Sequence, residues 1–512
     1  DIAGIRSKLD YLAELGIDAI WLSPVFCSPQ DDNGYDISDY RDIDPLFGSL
    51  EEMDALIREA KDRGIRILMD LVLNHSSDEH RWFREARKSR DNPYHDFYIW
   101  RDGTEGCPPN DMRASFGGSA WEWVPELEQY YFHQYSVKQP DLNWENPRLR
   151  RELYDTINWW TARGVGGFRL DVVDHLGKDP DRGIKTNGPR LHEFIREMSA
   201  ACFQKGDLVT VGEAWSVTPE TARLYSAPDG SELSMIFGFE HMKLDQAPGK
   251  EKWDVIPLDF RALKAIFARW QTELRGRGWN SLFWENHDLP RSVSHLADDG
   301  EYRVESAKML AILLHGMQGT PYIYQGEELG MTNVRLPLEA YQDLEIRNMI
   351  RERREKGWSD GQIGDAIFAK GRDNARTPMQ WDAGINAGFT RGRPWLPVNP
   401  NHREINAADQ VGRPDSVFSC YQRLIRLRKT CPVLREGDFT LLLPEDGDIF
   451  AYRRESEGEA LLVVANFHGG TVDDPLYARE AEGELLVSSY SDGACLPVLR
   501  PYEARMIRLS RP

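Results

Sequence analysis

GFRLDVVDH, residues 167 to 175, reads as the end of a buried parallel strand, and both the fold and the chemistry of the chain are read outward from it. Side chains two apart on a strand share a face, so Arg169 and Asp171 look one way while Phe168, Leu170 and Val172 look the other. The apolar side packs and the charged pair faces a pocket. A guanidinium beside a carboxylate lowers the pKa of that acid, which suits an attacking carboxylate. An isolated R-x-D is more simply read as a structural ion pair, and what tips the reading is the other polar strand ends along the chain.

The stretch repeats a grammar seen twice before it. A helix over residues 2 to 15, with Ile5, Leu9, Leu12 and Leu15 near the 3.6 period, stops at Gly16 and runs into the apolar strand Ala19 to Leu22. Ser49 and Glu52 form a capping box, the helix ends at Gly64, and Ile65 to Leu73 is nearly continuous apolar sequence. Asn146 with Pro147 at the first helical position opens the helix that leads to Gly164 and the Arg169 strand. Leu208 to Val211, Met235 to Phe239, Ser281 to Trp284 and Pro321 to Tyr324 are further short apolar strands, bringing the parallel set to seven. These βα units predict an α/β fold, a (β/α)8 TIM barrel whose first strand would precede residue 1.

The barrel is expected over 1-75 and 144-432. Between lies a polar, aromatic-rich excursion of about seventy residues, too long for a connecting loop, read as an inserted domain B at 76-143 after strand 3. A charged, helical insertion is expected at 331-380, and after the helix Tyr421 to Arg428 the runs LLLPEDGDIFAYRR, ALLVVANF and ARMIRLS predict a C-terminal antiparallel β-sandwich at 433-512.

Sixty-three Lys and Arg against 83 Asp and Glu give a net charge of −20, which argues against nucleic acid or an anionic membrane surface as partner. Six scattered cysteines form no zinc spacing, so reduced thiols and no metal site are expected. No run of 18 apolar residues is present to span a bilayer, and no signal segment is visible, although the chain opens inside a helix; the expectation is a cytoplasmic monomer.

Active groups of a βα barrel sit at the C-terminal ends of its strands. Those ends carry Asp70, Asn74 and His75, then Arg169 and Asp171, then Glu213, then His287 and Asp288. Four charged strand ends at one mouth would each meet desolvation without a ligand. One ionised and one protonated carboxylate are what glycosidic cleavage with retention requires. Asp171 beside Arg169 suits the nucleophile. Glu213, next to Ala214 and Trp215 with no cation adjacent in sequence, suits an acid whose pKa apolar surroundings raise. Asp288 suits hydroxyl binding around the distorted ring, with His75 and His287 as donors to sugar hydroxyls.

DLVLNH (70 to 75), QPDLN (139 to 143), GFRLDVVDH, VGEAW (211 to 215) and ENHDLPR (285 to 291) resemble the ordered conserved regions of the α-amylase family of glycoside hydrolases. With DNGYDISDY (32 to 40) and GRDNARTPMQW (371 to 381), the sequence is most similar to the oligo-1,6-glucosidase and dextran glucosidase branch. The resemblance implies Asp171 as nucleophile, Glu213 as acid/base and Asp288 as transition-state stabiliser. It implies that Asp32 and Arg376 pair to bind the terminal glucose, with Tyr35, His75, Phe116, Arg169 and His287 completing the subsite. Trp215 and Lys252 are candidate contacts to the leaving sugar. In similar proteins Val after the nucleophile goes with α-1,6 bonds and Thr or Ala with α-1,4 bonds; here it is Val172, whose side chain strand alternation turns away from Asp171.

The expected function is therefore a retaining exo-α-glucosidase that removes glucose from short isomalto-oligosaccharides and needs no cofactor. The alternatives are an α-1,4-glucosidase or transglucosylase on maltose-like or sucrose-like substrates, and, from another class, a non-catalytic barrel ectodomain. Lys243, Leu244, Asp245 and Gln246 stand where similar sucrose isomerases carry an R-L-D-R type segment, which disfavours isomerisation. Relatives carry a calcium loop ahead of the first helix; Asp1 alone would remain of it, so no calcium is assigned.

Overall fold

The computed structural model describes residues 1–509. Its contacts divide the chain into two compact units, Asp1–Phe239 with Gly276–Trp279, and Glu240–Arg275 with Asn280–Pro512.

In the first unit five parallel strands pair in chain order: β1 (Ala19–Leu22), β2 (Arg66–Leu71), β3 (Gly167–Leu170), β4 (Val209–Glu213) and β5 (Met235–Phe237). The register sets Asp70 beside Arg169 and Arg169 beside Val211. At the other end of the same pair Gly167 lies against Val209, and a Cβ on it would come within 1.9 Å of the Val209 carbonyl oxygen. Only glycine lets the strands pair at that level.

Local sequence specifies the helices between them. The helix expected over 2 to 15 is in fact two, α1 (Ile2–Arg6) and α2 (Leu9–Leu15). Ser7 Oγ donates back to the Gly4 carbonyl at 2.7 Å, a local bond that competes with helix continuation, and Lys8 leaves helical backbone at φ −111°. Asp1 caps α1 by accepting the Gly4 N–H at 2.6 Å. Helix α3 (Leu50–Asp62) carries the expected capping box, Glu52 N–H to Ser49 Oγ and Ser49 N–H to Glu52 Oε2, and buries Met53, Leu56, Ile57 and Ala60. Helix α4 (Pro147–Ala162) starts on Asn146, whose side chain accepts from the Arg148 and Leu149 amides.

Residues 76–143 hold a helix, Arg81–Ala86, and a three-stranded antiparallel sheet with Gln129–Phe132 between Trp100–Asp102 and Trp121–Val124. Ile99, Ala120, Trp121, Tyr130 and Phe132 form its core.

The second unit holds the remaining two of the seven expected parallel strands, β6 (Asn280–Leu282) and β7 (Thr320–Pro321), which pair with each other. Helices Leu344–Glu355 and Asp360–Lys370 make up the 331–380 insertion and share a core of Ile346, Met349, Ile350, Ile363 and Ile367 with Trp253. After the helix Val417–Thr430 come five antiparallel strands, β8 (Asp438–Leu442), β9 (Ile449–Ser456), β10 (Glu459–Asn466), β11 (Glu484–Ser488) and β12 (Ala504–Arg508), in the order β8-β9-β10-β12-β11. Leu476 and Leu499 pack against Ile449, Ala451, Leu462 and Val464 of this sheet. Leu499 belongs to a two-stranded ribbon, Val472–Asp473 with Val498–Leu499, so two layers are packed face to face. Ser510, the last residue of the expected ARMIRLS strand, lies outside the described residues. Among the described residues no helix is long and apolar enough to cross a membrane.

Candidate active site

The strand ends of the first unit converge on Arg169. The residue is 1% exposed and its guanidinium serves three carboxylates. Nη1 donates to Asp70 Oδ1 at 2.8 Å and to Asp171 Oδ1 at 2.7 Å, and Nη2 donates to Glu213 Oε2 at 2.5 Å. Parallel pairing explains the convergence: β2, β3 and β4 are neighbours, and all three acids lie at or just past the C-terminal ends of their strands. The sequence expectation named the Arg169–Asp171 pair and gave Asp70 no site role. Asp70 is bound further by the Tyr35 hydroxyl at 2.9 Å and the Trp21 indole N–H at 3.1 Å.

Two expectations about charge are corrected. Arg169 does not leave Asp171 with a lowered pKa: burial pushes it well above the usual carboxylate range, Arg169 opposes, and Glu213 and Asp70 add to the rise. Burial likewise lifts Asp70 to about 6 against the pull of Arg169. The second correction concerns Glu213, which has no cation beside it in sequence and is hydrogen-bonded to one in space. It also accepts from the Trp215 indole N–H at 3.0 Å and the Val172 amide at 3.2 Å. Asp70 and Asp171, both raised by burial around one guanidinium, are coupled to each other.

Val172 does not follow strand alternation, because β3 ends at Leu170. Its backbone is left-handed, φ 35° and ψ 49°, an uncommon state for a β-branched residue that costs of order 1–3 kcal/mol. This turn is what aims the Val172 N–H at Glu213.

The remaining candidates of this unit form a wall. Tyr35 and Asp32 are nearly buried, and Asp32 Oδ2 accepts from Gln139 Nε2 at 3.0 Å. Burial holds His75 down at about 4, so its ring is neutral at pH 7, and both ring nitrogens meet protein groups, the Tyr35 carbonyl at 3.1 Å and the Asn74 amide at 3.0 Å. His75 therefore positions Tyr35. Tyr135, to which the sequence reading gave no role, stands between Phe116 and His75 with ring centroids 5.4 Å from each. Trp215 stacks on Phe239 at 4.0 Å. Behind the wall the Lys178 ammonium binds Asp141 Oδ2 at 3.0 Å and the Asn74 carbonyl at 3.2 Å, fixing the strand-end loop to the 139–143 segment.

The second unit gathers the others. Asp288 Oδ1 accepts from Arg376 at 2.8 Å and from Arg372 at 3.1 Å, and Asp288 Oδ2 lies 3.3 Å from His287 Nε2. Arg376 also donates to the His287 carbonyl at 2.8 Å, and Asp343 is held by Arg372. Lys252 binds Glu345 at 2.5 Å, and Glu345 lies 3.5 Å from Arg372. Arg372, Asp343 and Glu345 were not singled out from sequence, although Arg372 stands in the same 371 to 381 segment as Arg376. Their signal is spatial: Asp343 caps a helix, and only the fold brings it to Arg372.

The catalytic-domain model of the alpha-amylase family matches residues 1–437. An oligo-1,6-glucosidase of Parageobacillus thermoglucosidasius is 51% identical over 538 residues, spanning 100% of this chain and 95% of that protein. A glucan 1,6-alpha-glucosidase of Streptococcus pneumoniae is 52% identical over 520 residues, 99% and 95% of the two chains. Among solved structures, a trehalose-6-phosphate hydrolase of Bacillus licheniformis superposes with a TM-score of 0.95 at 46% identity, covering 100% and 95%. Likeness of this extent bears out the expected barrel with its C-terminal antiparallel domain.

Proposed function

The chain belongs to the alpha-amylase family, and from that premise we propose that it is a retaining exo-α-glucosidase that cleaves α-1,6-glucosidic bonds at the non-reducing ends of short isomalto-oligosaccharides. The observation that carries the reading is the sharing of one guanidinium by Asp171 and Glu213, at 2.7 and 2.5 Å. Double displacement needs its two carboxylates close together, about 5 Å apart, and both of these lie within hydrogen-bond reach of the same guanidinium.

In the proposed reaction Asp171 attacks the anomeric carbon as its bond to the glycosidic oxygen breaks, and Glu213 gives that oxygen its proton. Water then opens the glycosyl ester on Asp171, returning a proton to Glu213, and two inversions leave an α product. Asp288, held between Arg372 and Arg376, stabilises the oxocarbenium-like ring. Tyr35, Asp32, His75, Phe116, His287 and Arg376 grip the terminal glucose, while Trp215 and Lys252 meet the leaving sugar. Nucleophile and proton are both side-chain groups, so no metal enters the reaction. Val172 and the names of the two relatives support the α-1,6 linkage.

Initial rates on isomaltose, maltose, sucrose and trehalose 6-phosphate test this, with isomaltose expected fastest. A maltose or trehalose 6-phosphate rate well above the isomaltose rate would overturn the linkage. NMR taken before mutarotation should show α-glucose first; β-glucose would overturn the nucleophile.

A further inference from the structure

We propose that the second unit carries an accessory binding cleft for one glucosyl unit of an α-glucan, built from residues the catalytic reading does not use. Helix Asp360–Lys370, Trp358 just ahead of it and the segment 247–255 line an open cleft of about 440 Å³, within the size range of small-molecule sites. Its lining includes Trp253, Trp358, Asp254, Gln362, Asp365 and Val255.

The polar groups there suit a neutral polyhydroxyl ligand. Among the described residues neither indole N–H has a protein acceptor, and the Gln362 amide, whose oxygen accepts from the Ser359 N–H at 3.0 Å, keeps its NH2 group without one. Acceptors come from Asp254 and Asp365. Each carboxylate is already matched, Asp254 by Arg353 at 2.8 Å and Asp365 by Arg335 at 2.9 Å, so the cleft does not call for a cation. The rings are also supplied with cations: the Arg353 guanidinium lies 4.4 Å from the Trp358 ring and the Lys252 ammonium 4.6 Å from the Trp253 ring. Apolar ring surface beside free N–H donors and carboxylate acceptors fits the C–H face and the hydroxyls of a pyranose. Trp253, only 6% exposed, is anchored in the helical core, so the platform is rigid before any ligand arrives.

The choice of an α-glucan rests on the proposed function, and the test separates the two. The full chain carrying Asp171→Asn is run in native gels containing dextran or soluble starch, with and without Trp358→Ala or Gln362→Ala. Retardation by glucan is expected, and each cleft substitution should weaken it by about tenfold, while Trp358→Ala alone leaves p-nitrophenyl α-glucoside hydrolysis unchanged. Absence of retardation in both gels overturns the cleft. So does retardation that both substitutions leave intact, or tryptophan fluorescence that responds to tetramethylammonium and not to dextran. Gln362 is exposed, so its variant keeps the test decisive if Trp358→Ala fails to fold. Glucan binding that persists in a protein inactive on isomaltose would sink the catalytic reading and leave the cleft standing.

Discussion

Two groups of three carboxylates lie in the two units, and they are charged differently. In the first, Asp70, Asp171 and Glu213 share Arg169 as their one cation among the described residues. In the second, Asp288, Asp343 and Glu345 face Arg372, Arg376 and Lys252. The first is short of cations, and burial drives Asp171 and Asp70 upward. The second is balanced: burial would raise Asp343 too, but Arg372, Arg376 and Lys252 outweigh it and its pKa falls. The difference teaches what a buried acidic cluster is for. One with too few cations stores a proton, whereas a matched one is a fixed electrostatic surface.

The sharpest break of this comparison is Asp171→Asn, expected to lower kcat by about 10⁴-fold or more with folding intact; a chromogenic α-glucoside assay with circular dichroism checks it. Glu213→Gln, which takes the proposed acid out of the same cluster, should cost about 10²–10⁴-fold on a poor leaving group. A drop equal to that of Asp171→Asn on an activated leaving group would contradict the acid role. In the balanced cluster the expected loss is stability: Arg372→Leu leaves Asp343, whose side chain is fully buried, with Arg376 at 3.7 Å as its nearest cation. Breaking such a pair costs about 3–5 kcal/mol, readable as a lowered thermal midpoint.

Asp70→Asn sharpens the contrast through pH. The folded Asp70 binds its proton up to about 6 against 3.8 when free, so its contribution to stability is fully present below pH 3.8 and lost as pH rises through 6. The Asn variant should lose that dependence. With one negative charge fewer beside Asp171, the acid limb of kcat/KM should also move to lower pH. An unmoved limb would mean that Asp70 and Asp171 are not coupled. The smallest effect is expected from Val172→Thr, a rise in the maltose-to-isomaltose rate ratio with little change in stability.

Strand ends were legible because apolar runs, glycines and caps are local signals, and they brought Asp171, Arg169, Glu213 and Asp288 into view. What sequence concealed is whatever depends on pairing between distant strands. Glu213 has Ala214 and Trp215 as chain neighbours and looks sheltered, yet parallel pairing delivers Arg169 to it. Asp70 sits 99 positions from Arg169 and meets it only through the register. Val172 was read as strand, and two residues of further extension would have turned its amide away from Glu213. The split at Ser7 has the same origin on a smaller scale, a side chain bonding to its own backbone where periodicity sees an unbroken helix.

Gly167 gives this arrangement its ruler. Because a hydrogen atom is all that separates it from the Val209 carbonyl, the spacing of β3 and β4 is fixed at the ends opposite Asp171 and Glu213. Any larger residue there would act as a wedge driven between the strands. The gap between Asp171 and Glu213 is thus calibrated from beneath, by a position that carries no side chain at all.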